Sequence, residues 1–357
     1  MYLEHFGLRE HPFKLTPDSE FLFMSEGHAR AKAYMDYTIW NRDGFVVVTG
    51  EVGAGKTTLL QKLLSEFDEN VVVAKIFQTQ LTEVELLQAI LVEFGMNPFS
   101  AKKVELMDML TTFLIDQFLS GKQLVLIVDE AQNLGRRALE EIRMLSSLET
   151  QKEKVLHVIL VGQPELNEVL DTAEMEQLLQ RVRLRCHIGA LSETDTMDYI
   201  RYRLGVAGYS GADLFAPDTM ALIYQYTGGI PRLINTMCDI ALTVAFSDGA
   251  HVVDCARIEA AVGELQWVTY PERRKVVRGR RNEDRGNGAD LQQYMQQTTD
   301  YLASISGTLR QLEALPAALA SIAEGLRSLD VRLEHERTVG SEGSDERAGT
   351  HRVRKGR

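Results

Sequence analysis

Apolar residues in the first half of the chain fall into short runs separated by longer stretches with helical spacing. The runs are 45–49 (FVVVT), 71–77 (VVVAKIF), 124–128 (LVLIV), 155–161 (VLHVILV) and 184–188 (LRCHI). Short, largely β-branched runs alternating with helices predict a parallel sheet covered on both faces. The prediction is an α/β core over 44–191. It is preceded by an N-terminal segment, 1–43, in which Gly7, Pro12 and Pro17 break the first half and a helix runs from about His28 to Trp40.

The pattern changes at 192. SETD at 192–195 reads as a capping box, with Ser192 as the cap and Asp195 in place of the usual Glu. Helical spacing follows near 194–207, 217–227, 231–247 and 254–264 with no clear strand, which predicts a small all-helical domain over 192–267. Residues 268–289 are charged and aperiodic and read as a basic linker. Beyond it Leu291, Thr298, Ile305, Leu312, Leu319, Leu326 and Leu333 recur every seven residues. Tyr294, Tyr301, Thr308, Leu315, Ile322 and Leu329 follow three later. That spacing predicts a coiled-coil helix over 290–336, kinked or split at Pro316; a helical hairpin folded back on the body is the alternative. Residues 337–357 read as a disordered tail.

Composition narrows the class. The chain has 357 residues, 45% of them hydrophobic and 25% charged, which is ordinary globular usage. No apolar run is long enough to span a bilayer, and MYLEHFGLREHPFKL is charged where a secretory signal would be apolar. The expectation is a cytoplasmic protein. Cys186, Cys238 and Cys255 lie far apart without metal-ligand spacing, and the eight histidines form no cluster, so no zinc site is expected. The net charge is −12, while 272–285 (ERRKVVRGRRNEDR) holds seven basic residues against three acidic ones. An acidic body disfavours broad, unspecific nucleic-acid binding; a local basic face stays possible.

The chemistry enters at 50–57, GEVGAGKT, which matches G-x-x-x-x-G-K-[ST] between a strand and a helix. Gly50, Gly53 and Gly55 let main-chain N–H groups converge on phosphate oxygens without Cβ clashes, with Glu51, Val52 and Ala54 completing the loop. The helix start adds partial positive charge. Lys56 reaches the β- and γ-phosphates, Thr57 offers its hydroxyl to Mg²⁺, and Thr58 supports the helix start. LVLIVDEAQ at 124–132 supplies the acids. Asp129 leaves the C-terminal end of a buried strand, where ligands bind in open parallel sheets, and would hold Mg²⁺; Glu130 is placed to deprotonate the attacking water.

These stretches, with FGLREHPFKLTPD (6–18), GFVVVTGEVGAGKTTL (44–59), VDEAQNL (128–134), VGQPEL (161–166) and GGIPRLIN (228–235), resemble AAA+ ATPases of the general-secretion-pathway protein A type. The opening and TQLTEVELLQAILVEFG look most like the exosortase-associated members. The resemblance spans about 1–267. It does not extend to the membrane-spanning and peptidoglycan-binding parts of some members. It implies a P-loop NTPase core with a helical lid, ATP and Mg²⁺ as cofactors, and a homo-oligomer serving envelope-protein secretion or exopolysaccharide export at the inner membrane face. It also implies roles for single residues. Gln163 would sense the γ-phosphate. Arg232 would reach back to the phosphates from the lid. Arg181, with Arg183 and Arg185 as rivals, would complete a neighbouring subunit's site. Phe13 would flank the adenine, or serve only as core. Related ATPases that regulate transposition bind DNA, which is the alternative reading.

Overall fold

Five parallel strands form one sheet in a computed structural model of the chain, described over residues 2–41, 44–77, 79–99, 101–149 and 153–275. The strands are β1 (Phe45–Gly50), β2 (Val71–Ile76), β3 (Gln123–Val128), β4 (Leu156–Gly162) and β5 (Leu184–Ile188), in the order β2-β3-β4-β1-β5. Each lies within a residue of its expected bounds. The helices are α1 (Tyr2–Phe6), α2 (Glu26–Trp40), α3 (Lys56–Ser65), α4 (Glu83–Glu93), α5 (Lys103–Leu119), α6 (Arg136–Leu145), α7 (Glu165–Leu170), α8 (Glu176–Leu179), α9 (Glu193–Val206), α10 (Thr219–Thr227), α11 (Pro231–Ser247) and α12 (Cys255–Leu265).

Strands β1, β3 and β4 are buried almost throughout because helices cover both faces. On one face Val46, Val48, Val125, Ile127, Ile159 and Val161 pack with Ala31, Met35 and Ile39 of α2 and Leu59, Leu60 and Leu63 of α3. On the other face Val47, Leu124, Leu126, Val158 and Leu160 meet α4, α5 and α6 through residues such as Leu87, Leu110 and Ile142. Alternation of side chains along each strand sends neighbouring residues to opposite cores. The register pairs Thr49 with Gly162 and Val128 with Leu160, so the strand ends that carry Gly50, Asp129 and Gln163 lie side by side.

The last four helices pack around a third core, and the capping box is formed: Ser192 Oγ accepts from the Asp195 amide at 3.0 Å, and the Asp195 carboxylate accepts from the Ser192 amide at 3.3 Å. The N-terminal segment does not behave as one unit. Residue Phe13 and its neighbours Tyr2, Phe6, Leu8 and Phe21 enter the lid core, whereas α2 enters the sheet core. The reason is polar as well as apolar. The buried Arg203 of α9 donates to the main-chain oxygens of Pro12 (2.5 Å) and Lys14 (3.4 Å), which fastens this extended stretch to the lid. Phe13 is 2% exposed and meets Phe215 edge-on, so it packs in the lid core.

The linker also begins later than expected. Residues 270–275 form a helical turn on the body: Arg273 donates to the Tyr226 carbonyl and stacks over Trp267, and Arg274 faces Glu51 at 3.6 Å. The rest of the linker, the heptad helix and the tail lie outside the described residues.

Candidate nucleotide site

The Gly-rich loop joins β1 to α3. Gly55 is the N-cap of α3 with φ near +92°, and Gly53 has φ near +81°, both left-handed values that favour glycine. Space enforces the same choice. A Cβ on Gly53 would stand 2.6 Å from Cβ of Arg232, and one on Gly55 2.8 Å from Nε2 of His28. The first turn of α3 therefore presents its unpaired amides beside the loop, as an anion site requires.

Lys56 is the first residue of that helix and is 6% exposed. Its Nζ donates to the loop's own carbonyls, Gly50 O at 2.8 Å and Glu51 O at 3.1 Å. Burial pulls its pKa down, and Glu130, Asp129, Glu51 and Glu165 pull it back up. Asp129 follows β3 and is 2% exposed. One of its oxygens accepts from the Thr57 hydroxyl at 2.8 Å and the other from the Glu130 amide at 2.9 Å. Burial raises its pKa while those two hydrogen bonds lower it. Hence the strand-end aspartate, 72 residues further along the chain, meets the loop threonine that follows the loop lysine. Thr58, the next residue of α3, is half-buried.

Glu130 sits in the left-handed region, φ 52° and ψ 37°, which is uncommon for a residue other than glycine. The strain is held from several sides. The buried Thr79 donates its hydroxyl to the Glu130 carbonyl at 3.0 Å, and the amide is fixed by Asp129. The carboxylate accepts from Gln132 Nε2 at 2.6 Å and from Gln163 Nε2 at 3.1 Å. Gln132 also accepts from the Gln163 amide at 2.9 Å. Gln163 thus reaches the Glu130 carboxylate from the end of β4, and Gln132 is the hub between them. Gln132 stands inside VDEAQNL, but sequence reasoning assigned it no role; its amide two residues past the glutamate was the available signal.

The lid reaches the same loop. The Arg232 amide, at the start of α11, donates to Gly53 O at 3.2 Å, so the expected lid arginine sits on the loop at main-chain level. Arg181 is not in this cluster: its guanidinium donates to Ser146 O of its own chain at 3.2 Å. Arg185 pairs with Asp171 at 2.9 Å, and Arg183 is exposed beside them at the start of β5.

The donor set tests the expected Mg²⁺. No cluster of three or more His, Cys, Asp or Glu able to hold a metal occurs among the described residues. Mg²⁺ with a nucleotide needs no such cage, since it keeps waters and substrate phosphates as ligands and takes only one or two protein oxygens. A threonine hydroxyl and a carboxylate in contact fit that demand.

The parallel sheet, the Gly-rich loop after β1, the acids at the end of β3, the next strand but one, and the helical lid together form a P-loop fold of the AAA+ class. A family model described as an AAA domain matches residues 40–170. The chain is similar to General secretion pathway protein A of Aeromonas hydrophila, to which it is 41% identical over 269 residues, 75% of this chain and 49% of that protein. ATP-dependent target DNA activator B of Escherichia phage Mu is 27% identical over 157 residues, 43% of this chain and 47% of that one. The chain spans about half the length of the curated relatives it matches. Among solved structures, the Aeropyrum pernix ORC2 protein has a TM-score of 0.55 at 16% identity, covering 72% of each chain. CDC6P from Pyrobaculum aerophilum has a TM-score of 0.55 at 15% identity, over 71% of this chain and 70% of that one. At such identities the likeness speaks for the fold alone. Among the described residues no helix is long and apolar enough to cross a membrane.

Proposed function

We propose that this chain binds ATP with Mg²⁺ between the α/β core and the helical lid and hydrolyses it. The single observation that carries the reading is the contact of Thr57 with Asp129 at 2.8 Å beside the buried Lys56. Main-chain amides of Gly50 to Thr58 and the Lys56 ammonium hold the phosphate chain. Thr57 and Asp129 would hold the metal, which supplies charge neutralisation on the phosphates when bound. Glu130 takes the proton of the attacking water. Gln132 and Gln163 hold its carboxylate in place, and Gln163 would sense the γ-phosphate. Arg232 adds a lid cation.

Hydrolysis of this kind relies on positioning and charge, and a neighbour's arginine completes it. Arg181, Arg183 and Arg185 lie together just before and on β5, so a homo-oligomer could present any of them. Arg181 would first have to leave the Ser146 carbonyl. The relative named General secretion pathway protein A favours a role in envelope secretion or export, on the cytoplasmic side of the membrane through a partner.

A second reading has its own support. The relative named ATP-dependent target DNA activator B, and the basic run that starts at Arg273, favour an ATPase acting on DNA. Phosphate release from MgATP by the purified chain, with and without duplex DNA, separates the two. Turnover indifferent to DNA favours the first, and salt-sensitive stimulation favours the second. A chain that binds no ATP would end both.

A further inference from the structure

The phosphate loop leans on a histidine from outside it. His28 lies in the first turn of α2, 2% exposed, with its Nε2 at 2.9 Å from Ala54 O. Its Nδ1 lies 2.7 Å from Ser25 Oγ, the N-cap of the same helix. A carbonyl can only accept, so Nε2 carries the ring proton. Nδ1 then accepts from the Ser25 hydroxyl, whose oxygen also accepts the His28 amide at 3.4 Å. Burial lowers the pKa of this imidazole, which keeps the ring neutral at pH 7.

The need for such a donor follows from the loop. Amides that converge on phosphate leave carbonyls turned to the outside. A buried carbonyl without a donor is costly. Ala54 is 1% exposed and precedes Gly55, the cap of α3, and Lys56. The ring is also packed close enough that Gly55 has no room for a Cβ. Because α2 packs its other residues on the sheet through Ala31, Met35 and Ile39, the ring stands on a rigid base.

We propose that His28, its tautomer set by Ser25, is a positioning residue that holds the Ala54–Lys56 corner of the loop in its phosphate-binding shape before nucleotide arrives. The inference rests on the ATP-binding reading above and adds a residue outside every motif that carried it. Its effect falls on binding. A loop that must be ordered by the ligand binds more weakly, while the acids and glutamines that perform the chemistry are untouched.

The test is a comparison of His28→Leu, His28→Gln and Ser25→Ala in the full chain, with MgATP affinity by calorimetry and kcat and KM by phosphate release. Leu fills the space without a donor, and a Gln amide nitrogen reaches about where Nε2 stands. His28→Leu is expected to raise Kd and KM about tenfold with kcat within about twofold, the worth of one buried hydrogen bond. His28→Gln should recover most of the affinity. Ser25→Ala keeps the ring and its volume, so it reports even if His28→Leu does not fold; it should weaken binding several-fold by freeing the tautomer. Equal affinity in wild type and Ser25→Ala, a Gln variant no better than Leu, or a loss confined to kcat would each overturn the proposal. Wild type failing to bind MgATP would instead overturn the site reading itself.

Discussion

The sheet core and the lid bury similar kinds of side chain, yet they are built in opposite ways. The core is assembled from strands whose neighbours in space are set by the sheet, and its polar groups gather at one edge. The lid is a helical bundle that takes part of its interior from the opposite end of the chain: Tyr2, Phe6 and Phe13 pack with Phe215, Ile234 and Cys238. The groups to which the proposed chemistry is assigned therefore lie mostly in the core, and the lid meets the loop from outside. The seam between them runs along the loop, where Gly53 meets Arg232 and where Leu191 and Gly229 hydrogen-bond at 2.9 Å. If this division is correct, core substitutions remove binding or turnover outright, and lid substitutions shift stability and closure.

The sharpest way to break the comparison is Lys56→Ala. The lysine is buried, feels four acids and among the described residues donates to two loop carbonyls, which leaves it placed for the proposed phosphate contact. Loss of a charged donor to phosphate should cost about 100-fold or more in ATP affinity. The fold should stay intact, since the buried Asp129 loses its positive neighbour but keeps its hydrogen bonds from Thr57 and the Glu130 amide. Unchanged affinity in calorimetry would move the phosphate site elsewhere.

Glu130→Gln comes next. A glutamine keeps the shape, and its amide oxygen can still accept from Gln132 and Gln163. ATP should bind about as well, while turnover falls on the order of 10²–10⁴-fold with the base gone. Near-normal phosphate release would reassign the base and leave the strained backbone at Glu130 without its explanation.

The same two residues show what could be read from the chain alone. Loop, lysine and acids form local patterns whose spacing follows from phosphate geometry, so they were visible before any fold. The strands were visible because a doubly buried strand has few other ways to be written. Gln132, His28 and Thr79 were not visible in the same way, because their roles depend on which carbonyl or carboxylate the fold brings near. His28 carried a local hint, a serine cap three residues earlier, but nothing in sequence says that Ala54 lies against it. Phe13 stayed open for a related reason: in sequence an N-terminal aromatic residue reads the same whether it lines a ligand or fills a core, and the fold puts it in the lid core.

Gly229→Ala tests the seam. The residue has φ near +72°, and a Cβ there would fall within the envelope of the Leu191 main-chain oxygen. Main chain cannot swing away as a flexible side chain can, so the lid must shift or the seam must open. Overpacking combined with a left-handed alanine should cost about 3 kcal/mol. The expected readout is a lower melting temperature with weaker ATP binding and normal sheet content by circular dichroism. Should affinity stay unchanged while stability drops, the lid would play no part in holding nucleotide, and Arg232 would lose its role.

The smallest effect is expected from Ser192→Ala, at the first residue of the lid proper. Ser192 caps α9 and is exposed, so no packing is lost with its hydroxyl. What is lost is one acceptor for the Asp195 amide and one donor to the Asp195 carboxylate, at 3.0 and 2.8 Å. Removing such a cap costs about 1 kcal/mol. The position makes the small number informative, because α9 also carries Arg203, which fastens the N-terminal stretch to the lid. Fraying that begins at Ser192 stays local when the lid and the N-terminal stretch melt as one body. Amide exchange should then quicken only in the first turn of α9, near Glu193 to Thr196, with Tyr2 to Phe13 still protected. Faster exchange in both places would mean that the N-terminal stretch depends on the first turn of α9 as well as on its own buried aromatics, and the lid core would be less self-sufficient than the sheet core beside it.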